Sequence, residues 1–170
     1  MNNGAKIAIV LLLLYLGGFF VRTQTVTLKH FKPREFGIWW PLMNPDLLEK
    51  LDRFRSILGK PVRISPAIGA LGRPQSPTSQ HFPDPLVGAV DVMIGDDVTF
   101  EEAYRAARNA GFTGIGLYPD WKPMKGLHLD NRPDRTPANP ATWSGYDDWT
   151  GKQVYAGIDY ALNNDRGVFV

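Results

Sequence analysis

Residues 87–94 read Val-Gly-Ala-Val-Asp-Val-Met-Ile, a short run with a single charged position. Such a run, rich in β-branched residues, predicts a strand buried on both faces. Its exception, Asp91, is costly there unless a cation or strong hydrogen-bond donors meet the carboxylate. An arginine or a backbone turn is the ordinary partner for a buried acid. Two histidines offer another: His81 lies in the loop leading into the strand, in Ser79-Gln80-His81, and His128 lies in Gly126-Leu127-His128-Leu129-Asp130. Two imidazoles and one carboxylate are a common ligand set for a hydrolytic zinc, which keeps a fourth position open for water. On spacing alone, the metal and the arginine readings of Asp91 both stand.

Outward from this strand the elements follow in order. Asn44 caps and Pro45 opens a helix whose Leu47, Leu51, Phe54 and Leu58 share one face before Gly59 ends it. Pro61–Ser65 reads as a short strand, and the proline- and glycine-rich stretch 66–78 reads as a loop. Thr99-Phe100-Glu101-Glu102 is a capping box that starts a second helix running to Gly111. Thr113–Tyr118 and Gly126–Leu129 are two further strands joined by a turn around Pro119 and Pro123. Upstream, Thr25–Leu28 is extended, and the aromatic stretch from Phe31 to Trp40 packs on the domain. Downstream of Arg135, Trp143, Tyr146 and Trp149 precede a short helix over Lys152–Leu162; covering the sheet or contacting a glycan are the two uses open to these aromatics. An N-terminal hydrophobic helix is expected to precede these elements.

The chain has 170 residues and 44% hydrophobic content, enough for one domain with a real core, placed at 24–170, after a segment at 1–23. The net charge is +2 with scattered basic residues, which argues against a nucleic-acid partner, and a monomer is expected. Without cysteine there are no disulfides and no thiolate zinc sites, so any metal must be held by His, Asp or Glu. Ile7–Val21 is a fifteen-residue uncharged apolar run. It is shorter than the roughly 20 residues that cross a bilayer untilted and suits a signal h-region or a short anchor. Arg22-Thr23-Gln24-Thr25 lacks the small-x-small pattern of a cleavage site, which favours a retained membrane anchor through residues 7–21. Arg22, Lys29, Lys32 and Arg34 follow the run, and the positive-inside rule taken literally would leave the domain in the cytoplasm.

Taken together, Ser79-Gln80-His81, Gly88-Ala-Val-Asp-Val-Met93, Gly111–Asp120 and Gly126-Leu-His-Leu-Asp-Asn-Arg-Pro133 resemble the zinc D-Ala-D-Ala peptidases of the M15 family. The likeness is to its compact phage and bacterial branch, whose pattern is Ser-x-His, a strand ending in Ala-x-Asp, and a later His-x-Asp. Phe31–Phe36 and Leu58–Ser65 also resemble that branch in order and composition, so the similarity spans roughly residues 28–133. It implies an α+β fold, a small antiparallel sheet with flanking helices and the metal in a groove, Zn2+ bound by His81, Asp91 and His128, and hydrolysis of peptide bonds in bacterial peptidoglycan. It further implies a carboxypeptidase or endopeptidase, of phage lysis or entry type, anchored or exported with its domain on the extracytoplasmic side. The substrate argument outweighs the flanking charges here.

This chain departs from that pattern in three places. His81 and Asp91 are ten positions apart, which makes Phe82-Pro83-Asp84-Pro85 an inserted loop. Where relatives carry Glu three residues or His two residues before the last histidine, this chain has Lys125 and Gly126. Asp130 is then the first candidate for the base and Asp120 the second, with Asp130 equally suited to orienting the His128 ring. The Ser-Gly-Tyr-Arg segment is replaced by 65–73, so Arg73 is either the substrate-gripping arginine displaced or a solvated loop charge. Tyr118 is either an oxyanion donor or a buried structural tyrosine, and His30 is structural. The competing class is a non-catalytic, zinc-stabilised murein-binding or virion structural domain.

Overall fold

The computed structural model describes residues 26–165. The membrane segment read at residues 7–21 lies outside these residues. Among the described residues no helix is long and apolar enough to cross a membrane. Three α-helices, α1 (Pro45–Leu58), α2 (Phe100–Ala110) and α3 (Asp159–Asn164), lie with six strands: β1 (Val62–Ile64), β2 (Ala89–Ile94), β3 (Gly114–Tyr118), β4 (Gly126–Asp130), β5 (Ala141–Asp147) and β6 (Gln153–Ala156).

The helices begin and end where their sequences dictate. The Asn44 side chain accepts from the backbone N–H of Asp46 at 2.9 Å and of Leu47 at 3.4 Å, and Gly59 closes α1 in the left-handed region at φ 67°. In α2 the Thr99–Glu102 capping box is formed in both directions. The apolar stripes of the two helices, Leu47, Leu51 and Phe54 on one and Phe100, Ala103 and Ala107 on the other, are fully buried. They meet one face of the sheet in a single core that takes in Val90, Val92, Ile115, Leu117, Leu127 and Leu129. Phe31 and Phe36 of the aromatic stretch are buried in the same core, with Trp39 and Trp40 packed against it.

Strand order is β1-β2-β4-β3-β5-β6. The expected antiparallel sheet is in fact mixed, because β5 pairs with β3 in parallel, Gly114 opposite Ala141 and Gly116 opposite Trp143. Chain geometry explains this. Strand β4 ends with Asp130 opposite Gly114, so the connection over 131–140 only has to pass the start of β3 to begin β5 at that same end. The helix expected over Lys152–Leu162 is also corrected. Its first half is strand β6, with Val154 opposite Tyr146 and Tyr155 opposite Gly145, and only Asp159–Asn164 is helical after Gly157. The aromatics of 143–146 therefore widen the sheet rather than cover it, while Trp149 is exposed. Val26–Leu28 joins no strand.

Because a strand alternates faces, the register that buries the apolar residues turns the other set to the opposite side. One row across that second face reads Asp91, His128, Gly116, Trp143 on β2, β4, β3 and β5. If the first face is the stability-bearing one, Leu129→Ala, fully buried in a central strand, lowers unfolding free energy by about 3 kcal/mol. Urea denaturation followed by circular dichroism measures it, and a change under about 1 kcal/mol would mean that this face is not the core.

Candidate metal centre

The loop preceding β2 carries no helix or strand, yet it is firmly tied. Arg73 N–H donates to the His81 carbonyl at 2.9 Å, Gly88 N–H to that of Gln80 at 3.0 Å, and Asp91 N–H to that of Ala70 at 2.8 Å. These bonds bring His81, fully buried, beside the row on the sheet. His81 Nε2, Asp91 Oδ1 and His128 Nδ1 then form a nearly equilateral triangle. The two nitrogens are 3.1 Å apart, and they lie 3.2 and 3.0 Å from the carboxylate oxygen. Ligand atoms on one tetrahedral zinc at the usual bond lengths stand roughly 3.3 Å from each other. The three residues make a buried group that could hold a metal ion.

The outward nitrogens settle which atoms face inward. His81 Nδ1 lies 3.1 Å from the Leu71 carbonyl, which can only accept, so Nδ1 carries the proton and Nε2 the lone pair. His128 Nε2 lies 2.9 Å from Asp130 Oδ2 and likewise donates outward. Asp130 is fully buried and gripped by Arg132 through Nε at 3.0 Å to Oδ1 and Nη2 at 2.6 Å to Oδ2. With both outward nitrogens donating, three lone pairs would meet at the triangle's centre, which requires a cation there, either a metal ion or a proton.

Charge follows the same geometry. Burial pulls the His81 imidazolium down against the opposing pull of Asp91, and His81 stays neutral at physiological pH. Burial acts the same way on His128, but hydrogen bonds to Asp130 and Asp91 outweigh it and push its pKa up to about 9. Burial by itself would raise Asp91, yet its hydrogen bonds to His128 and His81 hold the carboxyl well below the usual carboxylate range. Asp130, bonded to His128 and Arg132, is held low in the same way.

Arg73 Nη2 reaches Asp91 Oδ2 at 2.7 Å, and its Nε donates to the Gly69 carbonyl at 2.8 Å. The arginine and metal readings of Asp91 are thus compatible, with one carboxylate oxygen for each. The side chain of Arg73 is 40% exposed and faces a groove beside the triangle. The groove has two lobes of about 340 and 450 Å3 that share Arg73, Tyr118, His128 and Tyr155. Asp130 lines neither lobe. Asp120 accepts from the Asp147 N–H at 2.8 Å and borders, with Lys125, a neighbouring depression that none of the three triangle residues lines. His30 lies apart as well, its N–H on Asp52 and its carbonyl accepting from Arg55.

Sequence reasoning passed over Arg132, the Leu71 carbonyl and the place of Trp143. Arg132 sits at 4.9 Å over the Trp143 ring, whose centroid is 5.3 Å from that of His128. A glycine opposite each large side chain makes room on this face. A Cβ at Gly116 would come within 2.5 Å of the Trp143 ring, and Cβ atoms at Gly114 and Gly145 would overlap the Asp130 carboxylate and the Tyr118 ring. The glycines in Gly114-Ile-Gly116 and Ser144-Gly145 were the available signal, readable only once the strand pairing is known.

Compared with known proteins, the chain matches no family model, no curated protein and no solved structure.

Loading with a divalent metal at pH 7 must displace the proton that His128 holds. Affinity therefore rises with pH up to about 9 and then levels off. Titration calorimetry in buffers of differing ionisation enthalpy is expected to show about one proton released per metal at pH 7, and no release would remove His128 from the ligand set. Asp130→Asn, which can no longer accept as an anion from His128, weakens binding by about 10- to 100-fold in the same titration.

Proposed function

We propose that this chain is a zinc-dependent peptidase of the M15 type that hydrolyses peptide bonds in bacterial peptidoglycan, as a carboxypeptidase or endopeptidase. The observation that carries the proposal is the triangle of two imidazole nitrogens and one carboxylate oxygen beside an open groove. Two nitrogens and one oxygen in tetrahedral spacing suit zinc better than the harder magnesium or calcium, which take oxygen cages. The substrate class rests on the sequence resemblance over residues 28–133. With it go an extracytoplasmic site of action and a membrane anchor at residues 7–21.

In this reading His81 Nε2, Asp91 Oδ1 and His128 Nδ1 hold the zinc. The bound ion supplies Lewis acidity, which makes water nucleophilic near neutral pH and polarises a carbonyl. The protein's own groups do the rest. Arg73 occupies Asp91 Oδ2 and so leaves that carboxylate one oxygen for the metal. The Asp130–Arg132 clamp fixes the plane and tautomer of His128. Around the groove stand Arg73, Lys122 and Arg132, with Asp91 the lone carboxylate among the lining residues. With Arg73 bonded to Asp91 and Arg132 to Asp130, Lys122 is the lining cation left to attract peptides that carry free carboxylates, as stem peptides of peptidoglycan do.

One observation favours the second reading, a non-catalytic zinc-stabilised domain that binds murein or serves in a virion. A hydrolase of this kind is helped by a carboxylate or imidazole that takes the proton from the attacking water. Asp130 and Asp120 are both committed elsewhere, and no other carboxylate than Asp91 lines either lobe. Digestion of purified peptidoglycan by the full, zinc-loaded chain, with and without chelator and read by mass spectrometry of released muropeptides, separates the two. Chelator-sensitive products that vanish in His128→Ala are expected. Retention on the sacculus with one zinc per chain and no products would sink the peptidase and support the binding domain.

A further inference from the structure

Tyr118 ends β3 on the same face as the metal-ligand row, two residues beyond Gly116, and borders both lobes of the groove. Its ring is held on two sides. It stacks on Trp121 with centroids 4.0 Å apart and planes at 17°, and it lies over Gly145, where any side chain would collide with it. Its oxygen is fixed too, because Trp143 Nε1–H donates to Tyr118 Oη at 2.9 Å. Indole N–H is a donor only, so the phenol oxygen is the acceptor in this bond. Among the described residues no side chain or carbonyl accepts the Tyr118 proton. Trp143 in turn is placed by the Arg132 guanidinium above it and by Gly116 beneath it, with the His128 ring 5.3 Å away.

A preorganised donor with no partner, bordering a groove beside a metal-ligand set, is the arrangement that stabilises charge developing on a substrate oxygen. We propose that Tyr118 is a catalytic residue of this site, donating its hydroxyl proton in a hydrogen bond to the oxygen of the scissile carbonyl as that oxygen becomes negative. The inference rests on the peptidase reading. Tyr118 keeps its proton throughout and forms no covalent bond, and burial holds the phenol above its usual range, so it remains a donor at every working pH. Trp143 is a positioning residue: by filling an acceptor lone pair of Oη it leaves the O–H to point at substrate.

The test uses the full, zinc-loaded chain and a phosphinic pseudodipeptide, whose tetrahedral anion imitates the charged oxygen. Tyr118→Phe is expected to keep one zinc per chain, bind the phosphinate about 100-fold more weakly, and lower kcat by a similar factor with KM within about threefold. Trp143→Phe is expected to weaken phosphinate binding by about fivefold to tenfold. If Tyr118→Phe does not hold zinc, the Trp143→Phe measurement decides the matter. Phosphinate binding by either variant at the parent's strength, or none by the parent, overturns the donor role. A parent that binds the phosphinate in a Tyr118-dependent way yet cleaves no peptide sinks the peptidase and leaves the oxygen-binding role of Tyr118 standing.

Discussion

The Asp91 carboxylate, buried on the second strand of a six-stranded sheet, is the constraint around which the rest of this molecule is arranged. An ionised carboxylate without partners cannot be kept there, so the structure surrounds it. Arg73 takes one oxygen, His81 and His128 take the other, and the loop carrying His81 and Arg73 is tied to the strand through the N–H of Asp91 itself. Removing any one partner leaves the buried carboxylate with less to offset its desolvation, which makes the loop's fold and the charge cluster one cooperative unit. A stretch without regular secondary structure can be as fixed as a helix when it closes such a cluster.

The sheet separates stability from chemistry by face. On one side Val, Ile and Leu meet the stripes of α1 and α2 in a continuous core. On the other, glycines at 114, 116 and 145 lower the surface so that Asp130, Trp143 and Tyr118 lie across it. Glycine weakens a strand by entropy and by missing contacts, and in these interior strands that cost is offset by the core on the opposite face. The large side chains then wedge one another: Arg132 holds Asp130 and covers Trp143, and Trp143 bonds to Tyr118. Each side chain of the candidate metal centre likewise has its orientation set by a neighbour: His81 by the Leu71 carbonyl, Asp91 by Arg73 and His128 by Asp130.

How much of this was legible depended on whether the signal was local. Asn44, Pro45 and Gly59 mark α1, and Thr99 and Glu102 mark α2, through capping chemistry that lies within a few residues. The apolar runs of β2, β3 and β4 could be read for the same reason, as could Asp91 as an acid in need of partners. The parallel β3–β5 pairing could not, since it depends on where a ten-residue connection over 131–140 lands and not on any pattern within it. Residues 152–162 were misread because Gln153–Ala156 is short and becomes a strand only by pairing with Tyr146 and its neighbours. Arg132 and Trp143 were missed on the same ground. Trp143 meets the site across strands, and Arg132, although only two residues past Asp130, shows its role only once Asp130 is seen to be buried against it.

The roles left open for Asp130 are separated by burial and bonding. A general base must reach the water it deprotonates and must have a free lone pair to do so. Asp130 has no exposed surface, and its two oxygens meet the Arg132 backbone N–H, the Arg132 guanidinium and His128 Nε2. The same bonds that make it a firm anchor for the His128 ring also hold its pKa low, which weakens it further as a proton acceptor. Anchor and base are thus exclusive uses of one carboxylate, and this chain has spent it on the anchor. Catalysis at such a site would have to come from electrostatic stabilisation of the reacting oxygen more than from proton abstraction by a side chain. That is the balance of groups the groove presents: cations and a tyrosine hydroxyl along its walls, and no unengaged carboxylate.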